Sequence, residues 1–246
     1  MPPLAIPSPT FTAVLFGLSG CLVDFGARTL PVTLQRLCPD APSQRMPSQS
    51  APVMALASML GRDPQPAELL ALNQTLAEVA SEHAEVTPGA PALLEQLHQQ
   101  GVPCAWIDEL PRDTSTRLAS PLPNWLHAAQ ICNTRPWPAP DACWQALMEL
   151  KVANLAGCVL ISGEPRLLRA GLNAGLWTVG LAACGPLCGQ APDDWQALPA
   201  PERDQLRAQA TLELYRLGVH SVVDHLAELG PSLTDLAIRR QKGEKP

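Results

Sequence analysis

Two polar turns in this sequence carry side chains able to do chemistry, each at the end of an apolar run. Phe11 to Phe16 is apolar and leads into Gly17, Leu18, Ser19, Gly20 and Cys21, and Cys158 to Ile161 leads into Ser162 and Gly163. A hydroxyl or thiol in such a turn is a nucleophile once a base takes its proton. The five histidines, His83, His98, His127, His220 and His225, are scattered over helical or strand contexts, and none pairs with Ser19, Cys21 or Ser162 by position. A second chemistry is anion binding, because a turn of this kind after a strand points backbone N–H groups at an anion. Metal chemistry is disfavoured. The eight cysteines (Cys21, Cys38, Cys104, Cys132, Cys143, Cys158, Cys184 and Cys188) form no Cys-x-x-Cys pair and have no histidine at ligand spacing, so they read as small buried hydrophobes,.

The turns need a scaffold, and the spacing supplies one. From Val86 onward helical and strand patterns alternate, with Gly or Pro at the joints, the pattern of βα units and a parallel sheet,. Helices are predicted over Ala92 to Gln100, from Asp141 through Met148, over Pro165 to Ala174, Glu202 to Leu217 and Leu233 to Arg240,. Strands are predicted over Phe11 to Phe16, Val102 to Ile107, Cys158 to Ile161, Trp177 to Leu181 and Val219 to Val223,. Between Gly26 and Glu85 the texture changes. Pro39, Pro42, Pro47, Pro52, Pro64 and Pro66 interrupt it, and its best element is a helix with Leu69, Leu72, Leu76, Val79 and His83 on one stripe,. That segment reads as an all-helical insertion after the first strand. Asp24 reads as a turn or capping residue.

The 246 residues suffice for one substantial core with a small insertion, and 46% hydrophobic with 16% charged residues is a globular composition,. A net charge of −6 argues against a nucleic-acid partner, and no apolar run is long enough to span a membrane,. The start lacks the charged and apolar regions of a signal peptide, so the cytoplasm is the expected compartment,.

Three stretches carry a resemblance to a known family: Ala13 to Gly26, Ala170 to Gly180, and Leu206 to Asp224 with the closing Gly243-Glu244-Lys245-Pro246. In that order they resemble the first strand and catalytic loop, the helix and strand after the acidic motif, and the last helix, strand and tail of phosphonoacetaldehyde hydrolase, a branch of the haloacid-dehalogenase superfamily. The resemblance implies a Rossmann-like α/β core, a parallel sheet flanked by helices, over residues 1–25 and 86–246, with a reduced helical cap over 26–85. It also implies a reaction: an Asp attacks phosphorus, further carboxylates hold Mg2+, and a cap lysine forms a Schiff base with the aldehyde.

On the matching positions those groups are missing. Gly17 stands at the nucleophile, Cys21 at the loop Thr, and Trp106-Ile107-Asp108 where a hydroxyl residue belongs. Ser162-Gly163 stands where the family has Gly-Asp, and the lysine falls near Pro52, the chain's only lysines being Lys151, Lys242 and Lys245. Arg135, followed by Pro136, matches the basic residue of the third motif. The expectation is a catalytically silent relative, with no catalytic residue and no bound Mg2+. What remains is an anion site of Ser19, Gly20, Cys21, Arg135 and Ser162 that holds phosphate or phosphonate uncleaved. A homodimer or a protein partner engages through the cap, where the family dimerises, and Trp137 is a further candidate partner contact. The alternative is a hydrolase with residual or altered chemistry.

Overall fold

The computed structural model describes residues 11–40, 51–129 and 134–246. The first ten residues assigned to the core, Pro42 and Pro47 of the insertion, and Cys132 lie outside the described residues.

The first strand, β1 (Ala13–Gly17), is buried at every position and is the third of six in a parallel sheet. After it come four helices, α1 (Thr29–Leu37), α2 (Pro52–Leu60), α3 (Pro66–Glu82) and α4 (Ala90–Gln99). The chain then alternates: β2 (Cys104–Ile107), α5 (Arg112–Leu118), β3 (His127–Ala128), α6 (Asp141–Glu149), β4 (Cys158–Ser162), α7 (Pro165–Asn173) and β5 (Trp177–Leu181). It closes with α8 (Pro192–Ala197), α9 (Ala200–Leu217), β6 (Ser221–Val223) and α10 (Leu229–Gln241). The sheet order is β3-β2-β1-β4-β5-β6, every neighbour parallel. This is the expected α/β class, and the continuous apolar runs form its centre because a parallel sheet is covered on both faces.

Alternation along β1 divides the core. Val14 and Phe16 join Val159, Ile161, Trp177 and Val179 in a cluster on one face, closed by Leu93 and Leu97 of α4 and Leu233 and Leu236 of α10. Leu15 turns the other way, toward Leu160, Ala146 and Leu147 of α6 and Leu167 of α7. The helices α1, α2 and α3 have a cluster of their own, in which Leu34, Leu56, Leu72 and Leu76 are buried. Prolines start two of them. Pro52 and Pro66 occupy first-turn positions, where a missing N–H costs nothing, and Gln65 with Glu68 forms a capping box at α3,. Leu110, beyond β2, packs against the same cluster and joins this helical unit to the sheet side.

The outgoing and returning crossings of the unit are stitched together. Val23 bridges Val86, Asp24 N–H donates to Glu85 C=O at 3.1 Å, and Thr87 N–H donates to Leu22 C=O at 3.0 Å. Arg28 and Glu85 form an ion pair across the same junction.

Candidate functional site

The strand order reverses between β1 and β4, and in an open α/β sheet ligands bind in the crevice outside the carboxyl ends at that point. The carboxyl ends of β1, β2 and β4 lie side by side there, with Gly17 beside Ile107 and Phe16 beside Ile161. Above them is a cavity of about 70 Å³, roofed by Ala27, Leu30, Pro31, Ala51 and Pro52 of the helical unit. That is room for a few waters or one small group, well below the several hundred Å³ of an ordinary ligand pocket.

The structure brings Gly17, Ser19, Pro52 and Ser162 together on this cavity. It does not bring the other expected anion ligands. Cys21 is fully buried, its thiol donating to Ile161 C=O at 3.3 Å, and burial pushes that thiol well above its usual pKa. The N–H of Gly20 donates to Val23 and Asp24 carbonyls, and that of Cys21 to Leu18, so the turn closes its hydrogen bonds on itself. Ser19 Oγ donates to Asp24 at 2.7 Å, and Ser162 Oγ accepts from Glu164 N–H at 3.0 Å. Arg135 is a surface residue with its side chain 70% exposed, paired with Asp141 at 3.0 Å, and it does not line the cavity. The five expected anion ligands therefore do not converge: Gly20 and Cys21 turn their N–H groups inward, and Arg135 lies away from the cavity.

Among the described residues the cation at the cavity is Arg166, in the first turn of α7. Its Nη1 pairs with Glu109 at 2.9 Å and its Nη2 donates to Trp137 C=O at 2.9 Å. Glu109 in turn accepts from Trp137 N–H at 2.6 Å. This clamp holds Trp137 as a wall of the cavity, and at 9% exposure Trp137 is not a partner contact, which corrects the expectation from the sequence. Arg166 sits on an amphipathic helix where a charge is ordinarily solvated. Only its through-space partner Glu109 marks it, and no spacing in the sequence reveals that.

Three carboxylates line the cavity: Asp108, Glu109 and Glu164. Asp108 accepts from the N–H groups of Glu109 and Leu110 at 2.7 and 3.0 Å, and from Ser115 Oγ at 3.2 Å. Desolvation pushes Asp108 up to about 7 and Glu164 likewise to about 7, against the pull of their hydrogen bonds. A carboxyl whose folded-state pKa is raised stabilises the fold at low pH and loses that contribution as pH rises through the folded value. Unfolding free energy should therefore fall as pH climbs from about 5 to 8, and Glu164→Gln should flatten the fall. Both side chains keep some exposed surface, which moderates the slope. Urea titrations of the two proteins across that range check it; parallel curves would show that Glu164 is not held at a raised pKa.

Two glycines differ in what surrounds them: Gly17 lines the cavity, and Gly163 lies beside it in the loop after β4. A Cβ built on Gly17 would lie 2.6 Å from Ser162 Oγ, a side-chain tip that can rotate away. A Cβ on Gly163 would lie 2.5 Å from Gly185 Cα, 2.5 Å from Gly20 O and 2.9 Å from Gly185 N, all backbone atoms. The loops after β1, β4 and β5 thus meet main chain to main chain where a side chain at position 163 would stand.

No family model matches the chain. The phosphonoacetaldehyde hydrolase of Bordetella pertussis is 28% identical over 176 residues, covering 69% of this chain and 63% of that protein. That of Aeromonas hydrophila is 31% identical over 176 residues, 66% of this chain and 61% of the relative. The chain thus spans somewhat under two thirds of the length of the curated relatives it matches. A solved structure with 52% sequence identity covers 96% of this chain and 100% of its own, with a TM-score of 0.73. The phosphonoacetaldehyde hydrolase-like protein of Oleispira antarctica, 23% identical, has a TM-score of 0.80 over 97% of each chain.

Proposed function

Since this chain belongs to the phosphonatase-like branch of the haloacid-dehalogenase superfamily, we propose that it keeps the fold of that branch without its phosphoryl chemistry, as a cytoplasmic binding or interaction protein. The observation that carries the reading is the main-chain contact of Gly163 with Gly185 and Gly20. At position 163 not only the carboxylate but the space for any side chain is missing.

Magnesium does not fit the residues present. It demands near-octahedral hard oxygens, yet Gly17 and Gly163 offer no carboxylate. Asp108 and Glu109 spend their oxygens on N–H groups, Ser115 and Arg166. A phosphate or phosphonate is also disfavoured, because three carboxylates line the cavity and the one arginine among its described lining residues is already paired with Glu109. The work of the protein then falls to its surfaces and to the helical unit, where Val53, Met54 and Leu70 are exposed.

The test is thermal unfolding with Mg2+ and inorganic phosphate, singly and together at millimolar concentration. A site filled at a hundred times its Kd adds about 2.7 kcal/mol to the folded state. No stabilisation is expected. A Mg2+-dependent gain that Glu164→Gln or Asp108→Asn removes would overturn the proposal.

A second reading, altered hydrolytic chemistry, has one observation in its favour. Asp108 and Glu164 share a cavity with pKa values of about 7, as suits a general acid or base at neutral pH,.

A further inference from the structure

Asp24 and His83 stand at the two crossings between the sheet and the helical unit, and neither is in an ordinary environment. Asp24 is wholly buried, in a left-handed backbone conformation with φ of 56°. It accepts from Arg28 N–H at 2.9 Å and Thr29 N–H at 3.1 Å, which caps α1, and from Ser19 Oγ at 2.7 Å. It is the turn and capping residue the sequence suggested, and it is also one hydrogen bond away from the cavity, because Ser19 lines it.

His83 ends α3 as a buried residue, 8% exposed. Its Nδ1 has no hydrogen-bond partner among the described residues and lies 3.8 Å from Asp24 Oδ1. A buried ring nitrogen without a partner is costly, and the group a protonated ring would meet is the Asp24 carboxyl 3.8 Å away, whose own pKa burial raises.

We propose that Asp24 and His83 form a proton-operated latch, in which protonation of His83 draws the end of α3 onto the turn after β1 and, through Ser19, changes the cavity. An N+–H···O− bond runs at about 2.7–2.9 Å, so closing the pair moves the two crossings together by about 1 Å. Helix α3 shares a buried cluster with α1 and α2, so the displacement carries the roof residues Leu30 and Pro52 with it.

The other charges facing His83 set where the latch operates. Arg28 and Arg36 on the α1 side disfavour the proton, and Glu82 on its own helix and Glu85 on the returning crossing favour it. Burial is the largest influence and lowers the imidazole below its usual value, so the latch closes on the acid side of the normal histidine range. The proposal stands whether or not the cavity is catalytic.

The experiment is an NMR titration of the full chain, following the histidine ring protons and the methyl of Met59, which is packed inside the helical unit. Met59 and His83 are expected to share one midpoint. His83→Gln should abolish the Met59 transition while leaving the titration of His220 in place. Asp24→Asn should lower the His83 midpoint by about one pH unit, a tenfold loss of proton affinity, as removal of an opposite charge at this range implies. A Met59 methyl that ignores the His83 midpoint, or that still titrates in His83→Gln, would overturn the latch. Should Asp24→Asn fail to fold, His83→Gln decides alone.

Discussion

Assayed beside the Bordetella pertussis relative, this chain is expected to release phosphate from phosphonoacetaldehyde at least about a millionfold more slowly, because removing a nucleophile alone costs that much where it has been measured. The expectation is stronger than the loss of one group implies. Gly17 has no side chain, the resemblance puts the Schiff-base lysine near Pro52, and both residues line the same cavity. Gly17→Asp is expected not to rescue turnover. The new side chain must first displace Ser162 Oγ, 2.6 Å from its Cβ, and would then face the carboxyl groups of Asp108 and Glu164. The measurement is single-turnover phosphate release with and without Mg2+, on protein purified through two independent routes. Turnover within about a thousandfold of the relative, lost in Glu164→Gln, would favour altered chemistry instead.

The sequence was informative where a local pattern and its burial agree. Trp177–Leu181 is a strand with the bounds that its apolar run predicts, and Cys158–Ser162 differs by one residue. The strand His127–Ala128 was not legible, since two residues carry no period. Helix α2 was hidden by Pro52, which read as an interruption although it lies in the first turn of its helix, where proline is tolerated,.

The candidate site divides in the same way. Gly17, Ser19, Pro52 and Ser162 were placed by motif order and do meet. Arg135 was placed by motif order too, but Asp141, six residues on, holds it at the surface. Glu109, Glu164 and Arg166 went unread because their importance lies in contacts between strand ends and a helix start, across dozens of residues. The mutual approach of Gly163, Gly185 and Gly20 was equally invisible. A glycine in a sequence does not say whether it is small by loss or small by necessity.

That distinction can be measured at Gly163. Gly163→Asp, the change that would return a carboxylate to the loop after β4, is expected to destabilise the fold rather than to create a magnesium site. Its Cβ would overlap Gly185 Cα and Gly20 O at 2.5 Å, and backbone atoms cannot rotate out of the way as Ser162 can. Overpacking of this kind costs on the order of 3 kcal/mol, and the charge buried with it adds to that. Gly163→Ala isolates the steric part and should lose most of the same stability. Gly230→Ala is the matched control: nothing lies within 4 Å of its Cβ and it sits in α10, so it should be neutral or stabilising by up to ~1 kcal/mol,. Urea unfolding of the three variants reads the differences directly. If Gly163→Asp folds with native stability, the loops can part, the missing carboxylate is a simple deletion, and the case for a permanently closed site fails. If Gly163→Ala alone removes several kcal/mol while Gly230→Ala does not, the loss of chemistry is fixed in the backbone packing, and no restored side chain can reverse it without moving the loop that carries Gly185.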